Sequence, residues 1–263
     1  MLPINGLREV TTLHPISDNS IARHLPLRGA IFDFNGTLSE DEPLLYEIYA
    51  SLFSEKLSYE LTRSDYFENL AGLSDPEIIS RALSRCGLSD HEELERSLLS
   101  QKISRYCDEV LNTPRIYPRN VAFVEAIAKA VPIALVTGAA RAEVHAALRA
   151  AGIFDYFKAI ITTEDVEHGK PDPEGFLTAA RILAPLMKRS ATTSVEESIV
   201  VFEDSSFGVE ATERAGMLPV VVGDPAPLYA VGRLAIPSLS MASYETISKL
   251  FIRTNPARPE VAQ

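Results

Sequence analysis

Four short clusters carry the side chains of this 263-residue chain that could do chemistry. Asp33-Phe34-Asn35-Gly36-Thr37-Leu38 follows the apolar run Gly29-Ala30-Ile31-Phe32, and Thr137-Gly138 closes a second apolar run. His168-Gly169-Lys170-Pro171-Asp172-Pro173 lies past a third run, and Glu203-Asp204-Ser205-Ser206-Phe207-Gly208 ends a fourth. Together they offer carboxylates, a hydroxyl, an ammonium and exposed backbone amides. That set suits phosphoryl transfer, in which charge spread over three equatorial oxygens is stabilised by a metal, a cation and oriented donors. Singly, each has an ordinary structural reading. Asn-Gly makes hairpin turns, Thr-Gly and Gly-Lys-Pro sit in loops, and Asp and Ser cap helices. Their order, each at the end of an apolar run, gives them meaning together.

The elements that must position them follow from periodicity. Strands are expected at Gly29 to Phe34, Ile133 to Thr137, Ala159 to Thr163, Ser198 to Glu203 and Leu218 to Val222. Between the later strands, helices are expected at Val121 to Ala130, Arg141 to Ala151, Gly175 to Leu186 and Gly208 to Ala215. Such alternation means β-α-β units and a parallel sheet. From Pro43 to Asn112, apolar residues recur at three- and four-residue steps (Leu44, Leu45, Ile48, Leu52; Ile78, Ile79, Leu83; Leu94, Leu98, Leu99, Ile103), which predicts an all-helical insert. The fold class is therefore α/β: a Rossmann-like parallel sheet flanked by helices, with an inserted helical cap. The divisions are a loosely held leader (1–28), a core (29–42 and 115–254), the cap (43–114) and a frayed tail (255–263), with hinges near Ser39 to Pro43 and Asn112 to Pro118. In an open parallel sheet the ligand sits beyond the carboxyl ends of the strands, where all four clusters fall.

Composition bounds the partners. Lys plus Arg number 25 against 36 Asp plus Glu, a net charge of −11, and such a field repels nucleic acid and anionic membranes. Cys86 and Cys107 have neither metal-ligand spacing nor the number to staple a chain this long, so reduced thiols in a cytoplasm are expected. No apolar h-region opens the chain and no run reaches the roughly 18 residues of a spanning helix. The expectation is a cytoplasmic protein, monomer or weak homodimer, whose partner is a small phosphorylated substrate and neither nucleic acid nor membrane.

At this point the sequence resembles the haloacid dehalogenase superfamily from about Gly29 to Ala235, with four motifs in order and a helical insert where the first cap class places its cap. Ser39-Glu40-Asp41-Glu42-Pro43-Leu44 and the stretch Glu203 to Ala211 look most like the β-phosphoglucomutase and sugar-phosphate phosphatase branch. The resemblance implies a Mg²⁺-dependent hydrolase that removes phosphate from a small metabolite through an aspartyl phosphate on Asp33. It implies Mg²⁺ ligands in Asp33, Asp204 and the backbone carbonyl of Asn35, with Glu203 as a further or outer ligand. Thr137 and the amide of Gly138 would hold phosphate oxygens, and Lys170 would balance charge.

One departure matters. The family pattern has an acid–base Asp two residues after the nucleophile, and here that residue is Asn35. An amide cannot deliver a titrating proton at neutral pH. General acid–base catalysis typically supplies roughly 10²- to 10⁴-fold in rate. Three readings stay open: a hydrolase of substrates with acidic leaving groups; a slow phosphatase, or one using another acid such as Glu40, Asp41 or His168; and a pseudo-phosphatase that binds a phosphometabolite or a protein without turnover. Retention of Asp33, Thr137, Lys170 and Asp204 favours the first two. Phosphonatase relatives also lack this Asp but use a cap lysine, and none occurs between Leu57 and Gln101. Dehalogenases lack the acidic pair that Glu203 and Asp204 form, and a mutase needs the missing Asp. Arg63, Arg81 and Arg85 are the candidate anion contacts of the cap.

Overall fold

The computed structural model describes residues 27–254 apart from 89–90, 189–192, 224–225 and 232. The leader up to residue 26, with His14 and His24, and the tail 255–263 lie outside the described residues. Leu27 and Arg28, assigned to the end of the leader, are buried, and the Arg28 guanidinium donates to the carbonyl of Lys188 at 2.7 Å.

Among the described residues, six strands form one parallel sheet in the order β3-β2-β1-β4-β5-β6: β1 (Gly29–Phe32), β2 (Ile133–Val136), β3 (Phe157–Ile161), β4 (Ile199–Glu203), β5 (Leu218–Val222) and β6 (Leu234–Ile236). Continuous apolar runs suit them because both faces are covered. Alternate β1 side chains separate the two layers. Phe32 faces α5 (Pro118–Ala130), stacking on Phe202 at 4.9 Å and meeting Phe123 edge-on at 6.2 Å. On that side too lie α6 (Arg141–Ala150) and α9 (Tyr244–Thr254). Ile31 faces the opposite side, with α7 (Glu174–Leu183) and α8 (Ser206–Arg214). Truncating a fully buried phenylalanine such as Phe32 costs about 3–5 kcal/mol.

The segment between β1 and α5 is helical: α1 (Glu42–Leu57), α2 (Arg63–Asn69), α3 (Asp75–Arg85) and α4 (Glu92–Asn112). The buried stripe of α4 is Leu98, Lys102, Tyr106 and Val110, one residue per turn. Leu94, Leu99 and Ile103, expected to share the buried face with Leu98, are half-buried beside it. Lys102 Nζ lies 2.7 Å from Asp75 and 2.8 Å from Glu143 of α6, and the Tyr49 hydroxyl donates to Asp75 at 2.5 Å. These four buried residues tie three inserted helices, α1, α3 and α4, to the sheet-flanking layer. The turn before α3 rests on the strand ends, since a Cβ built on Gly72 would lie 3.7 Å from Ser205 and one on Gly138 would lie 4.0 Å from Ser74.

The first expected hinge is not loose. Ser39 and Asp41 are fully buried, Gly36 donates its amide to the Ser39 carbonyl at 2.9 Å, and Glu40 donates its own to Arg115 at 3.0 Å. Along the second hinge, residues 111–114 are exposed.

Candidate active site

The sheet order reverses between β1 and β4, and the crevice at such a switch point is where strand ends converge. Asp33 follows β1, Thr137 follows β2, and Glu203 closes β4 with Asp204 next to it. The long loop after β3 carries Lys170, joined to Pro171 by a cis peptide, back across them. Lys170 Nζ sits 2.5 Å from both Asp33 Oδ1 and Glu203 Oε1. Ligand oxygens of Asp33, Glu203 and Asp204 all lie within 4.8 Å of one another.

Local sequence makes this possible. Gly36 has φ of 76°, and a Cβ there would overlap the Asp204 carboxylate. Gly208 in the first turn of α8 leaves room for the Glu203 side chain. Glu203 is fully engaged: Oε1 meets Lys170, and Oε2 accepts from the Ser205 amide at 2.8 Å and hydroxyl at 3.0 Å. Asp204 Oδ1 accepts from Thr37 at 2.8 Å, and the Tyr229 hydroxyl donates to the Asp204 backbone carbonyl.

Three carboxylates against one ammonium leave excess negative charge in a buried place. Burial, with Glu203 beside it, pushes Asp33 up to about 7 despite Lys170. Asp204 is held well above the carboxylate range by burial and then by Asp33 and Glu203. Burial alone would lower Lys170, but Asp33 and Glu203 outweigh it and hold the ammonium above its ordinary value. A hard divalent cation takes two or so carboxylates and keeps its own waters, so the donor set and its surplus charge fit one.

Asp33, Asp204 and Lys170 line a cavity of about 480 Å³, with Glu203 buried behind Lys170, and the cavity also receives Asn35, Thr137, Gly138 and, from the inserted helices, Tyr49, Tyr66 and Arg81. The residues expected to carry the four motifs, Asp33, Asn35, Thr137, Gly138, Lys170, Glu203 and Asp204, therefore gather at this one crevice. Thr137 is buried with its hydroxyl accepting from the Ala139 amide at 3.0 Å, whereas Gly138 is exposed. The Asn35 amide nitrogen donates to Asp41 Oδ2 at 3.0 Å, an oxygen that also accepts from the Tyr106 hydroxyl.

The remaining candidates divide. Glu40 is exposed and lies off the cavity lining. His168 lines the cavity with 69% of its side chain exposed and its ring 3.3 Å from Glu174. His145 packs edge-on against Phe154 at 4.9 Å. Arg63 lies over the rings of Tyr46 and Phe67, and Arg85 pairs with Asp65, which leaves Arg81 as the cavity's cap arginine. Lys102, next after Gln101, is a lysine of the inserted helices but an ion-paired ammonium; burial would lower it, but Asp75 and Glu143 hold it up. Sequence reasoning missed Glu42, which lines the cavity; its signal was only an acidic residue ahead of Pro43 in a helix's first turn.

The sequence model of the haloacid dehalogenase-like hydrolases matches residues 30–222. Over 191 residues the chain is 28% identical to the phosphorylated carbohydrates phosphatase of Thermotoga maritima, covering 73% of this chain and 82% of that protein. It is 27% identical over 190 residues to the fructose-1-phosphate phosphatase YqaB of Escherichia coli, covering 72% and 93%. Among solved structures, a β-phosphoglucomutase from Clostridium difficile superposes with a TM-score of 0.72 at 22% identity, covering 86% of this chain and 98% of that one.

Proposed function

Because the chain belongs to the haloacid dehalogenase-like hydrolases, we propose that it is a phosphatase acting on a small phosphorylated metabolite of the sugar-phosphate kind, with Asp33 as its nucleophile. The observation that carries this reading is Lys170 Nζ, 2.5 Å from Asp33 and from Glu203, in a cavity that Asp33, Asp204 and Lys170 line and that is large enough for a small ligand. The phosphatases named among the relatives support the substrate class.

Asp33, Asp204 and the backbone carbonyl of Asn35 would hold a magnesium ion, with Glu203 outside them because both its oxygens are engaged. A magnesium ion held there would supply positive charge against the phosphate and would favour the ionised form of Asp33. Asp33 attacks phosphorus in line with the leaving oxygen, which gives an aspartyl phosphate that water later cleaves. Lys170, fixed by Glu203, offsets charge on the phosphoryl oxygens, and Thr137 with the Gly138 amide orients them. The inserted helices over residues 43–114 act as the cap that excludes water and reads the rest of the substrate, with Arg81 as its cation.

A panel of phosphorylated metabolites assayed for released phosphate, with and without Mg²⁺, tests this. Turnover is expected only with the metal and is expected to disappear in Asp33→Asn. Retained turnover in that variant would remove the nucleophile assignment. The reading as a binding protein without turnover draws on Asn35 alone. It predicts calorimetric binding of a panel member with no phosphate release.

A further inference from the structure

We propose that Glu42 carries the proton that Asn35 cannot, donating it to the leaving group and later taking one from the attacking water. This rests on the phosphatase reading above. Asn35 is excluded by more than its chemistry, because its amide nitrogen is committed to Asp41 at 3.0 Å. Asp41 is fully buried, and one of its oxygens already accepts from both Asn35 and Tyr106. Asp75 is held by Lys102 at 2.7 Å and Tyr49 at 2.5 Å, and Glu77 accepts from the Ser74 amide and hydroxyl at 3.1 and 2.7 Å. Glu42 differs from all of these. It lines the cavity alongside Asp33 and Asn35, and among the described residues its side chain is bonded only to the Tyr66 hydroxyl, at 3.0 Å, with no cation in ion-pair contact.

The groups around it favour a held proton. Burial, then Asp41 beside it and Asp75 from α3, push Glu42 up to about 7, against the opposing effects of the Tyr66 hydroxyl and Lys102 of α4. Asp204 faces it across the cavity and feels its charge. A carboxyl with a pKa near the working pH is the effective general acid and, after transfer, the effective general base.

The protons balance over the cycle. An Asp33 oxygen bonds to phosphorus as the bond to the leaving oxygen breaks, and that oxygen takes the Glu42 proton to depart as an alcohol. Water enters from the side the leaving group vacated, so the same carboxylate can receive its proton. The water oxygen bonds to phosphorus, the bond to Asp33 breaks with its electron pair returning to the carboxylate, and inorganic phosphate leaves.

The test is Glu42→Gln, which keeps size and the Tyr66 contact, assayed with Mg²⁺ on glycerol 2-phosphate and para-nitrophenyl phosphate. For the alkyl ester, kcat is expected to fall by roughly 10²- to 10⁴-fold. For the aryl ester, a burst of about one equivalent of nitrophenolate per enzyme is expected, followed by slow turnover, since only the water step then lacks its base. Moving the carboxylate to position 35 with Asn35→Asp and Asp41→Asn in the Glu42→Gln background is expected to restore alkyl-ester turnover at least tenfold. Equal losses on both esters without a burst, or no loss on either, would overturn the role of Glu42 and leave the phosphatase reading intact. If the unaltered protein hydrolyses neither these esters nor any member of the metabolite panel, both fall together.

Discussion

The carboxyl of Glu42 couples function to stability. Its folded value of about 7 lies above the ordinary 4.5, so its contribution to stability is full below about pH 4.5 and is lost as pH rises through 7. Glu42→Gln is therefore expected to leave stability nearly unchanged at pH 4. At pH 8 it is expected to raise stability, with a ceiling of roughly 3 kcal/mol reduced by whatever water reaches the side chain. Urea titration at the two pH values checks both the size and the sign. The opposite case is Lys170. Lys170→Met leaves Asp33, Glu203 and Asp204 with no ammonium, so turnover is expected to vanish while added Mg²⁺ still raises the melting temperature. At this scale Asp33, Thr137 and the pair Glu203 and Asp204 were legible in the sequence because each lies at the end of an apolar run, and Lys170, in the loop past β3, by its place in the order of motifs. Glu42 was not, because an acid in a helix's first turn is also what the helix dipole favours. Asp41 was legible as an acid, but its commitment to Tyr106, 65 residues away, was not.

Among elements, α4 departs furthest from its sequence pattern. Periodicity counts apolar residues, so a lysine in the middle of the buried stripe reads as solvated, although its ammonium holds two carboxylates from two other helices. Lys102→Ala strands Asp75 and Glu143 without a cation and is expected to cost about 3–5 kcal/mol. Because burial pushes Glu143 up to about 7, the loss should be larger at pH 8 than at pH 5, where that carboxyl can take a proton instead. Chemical denaturation of the variant at both pH values gives the comparison. The sheet was legible to both ends of β5 and to within one residue of the ends of β2 and β4, since parallel strands covered on both faces are unbroken apolar runs. β3 begins at Phe157 and not at Ala159, because the exposed Lys158 interrupts its run. β6 went unseen: three residues between Arg233 and Pro237 make too short a signal, and only pairing with β5 defines them.

For the whole molecule, excess negative charge at the crevice would make a bound cation a folding ligand as well as the catalytic one proposed above. Saturation with Mg²⁺ at about 100 times its dissociation constant is expected to add about 2.7 kcal/mol. EDTA should reverse the gain and Asp204→Ala should abolish it, both read as melting temperature. Limited proteolysis probes the junctions of the inserted helices. Cleavage is expected within 111–114, which is exposed, and not at 39–41, where Ser39 and Asp41 are buried and hydrogen bonds pin the backbone. Cleavage at 39–41 as fast as at 111–114 would mean that the first junction opens in solution.

The pinned turn after β1 also sets how the protein ages. Asn-Gly sequences lose ammonia when the glycine amide nitrogen attacks the asparagine side-chain carbonyl. Here the Gly36 amide is donated to Ser39 at 2.9 Å while the Asn35 side chain is anchored on Asp41 at 3.0 Å. Conversion to aspartate is therefore expected to be slow in the folded chain and fast in urea. Peptide mass spectrometry of the two samples over time measures the ratio, and equal rates would show that the turn gives no protection. Since conversion would put a carboxylate two residues after Asp33, a stored sample would register the hours it has spent unfolded as a new negative charge beside the proposed nucleophile.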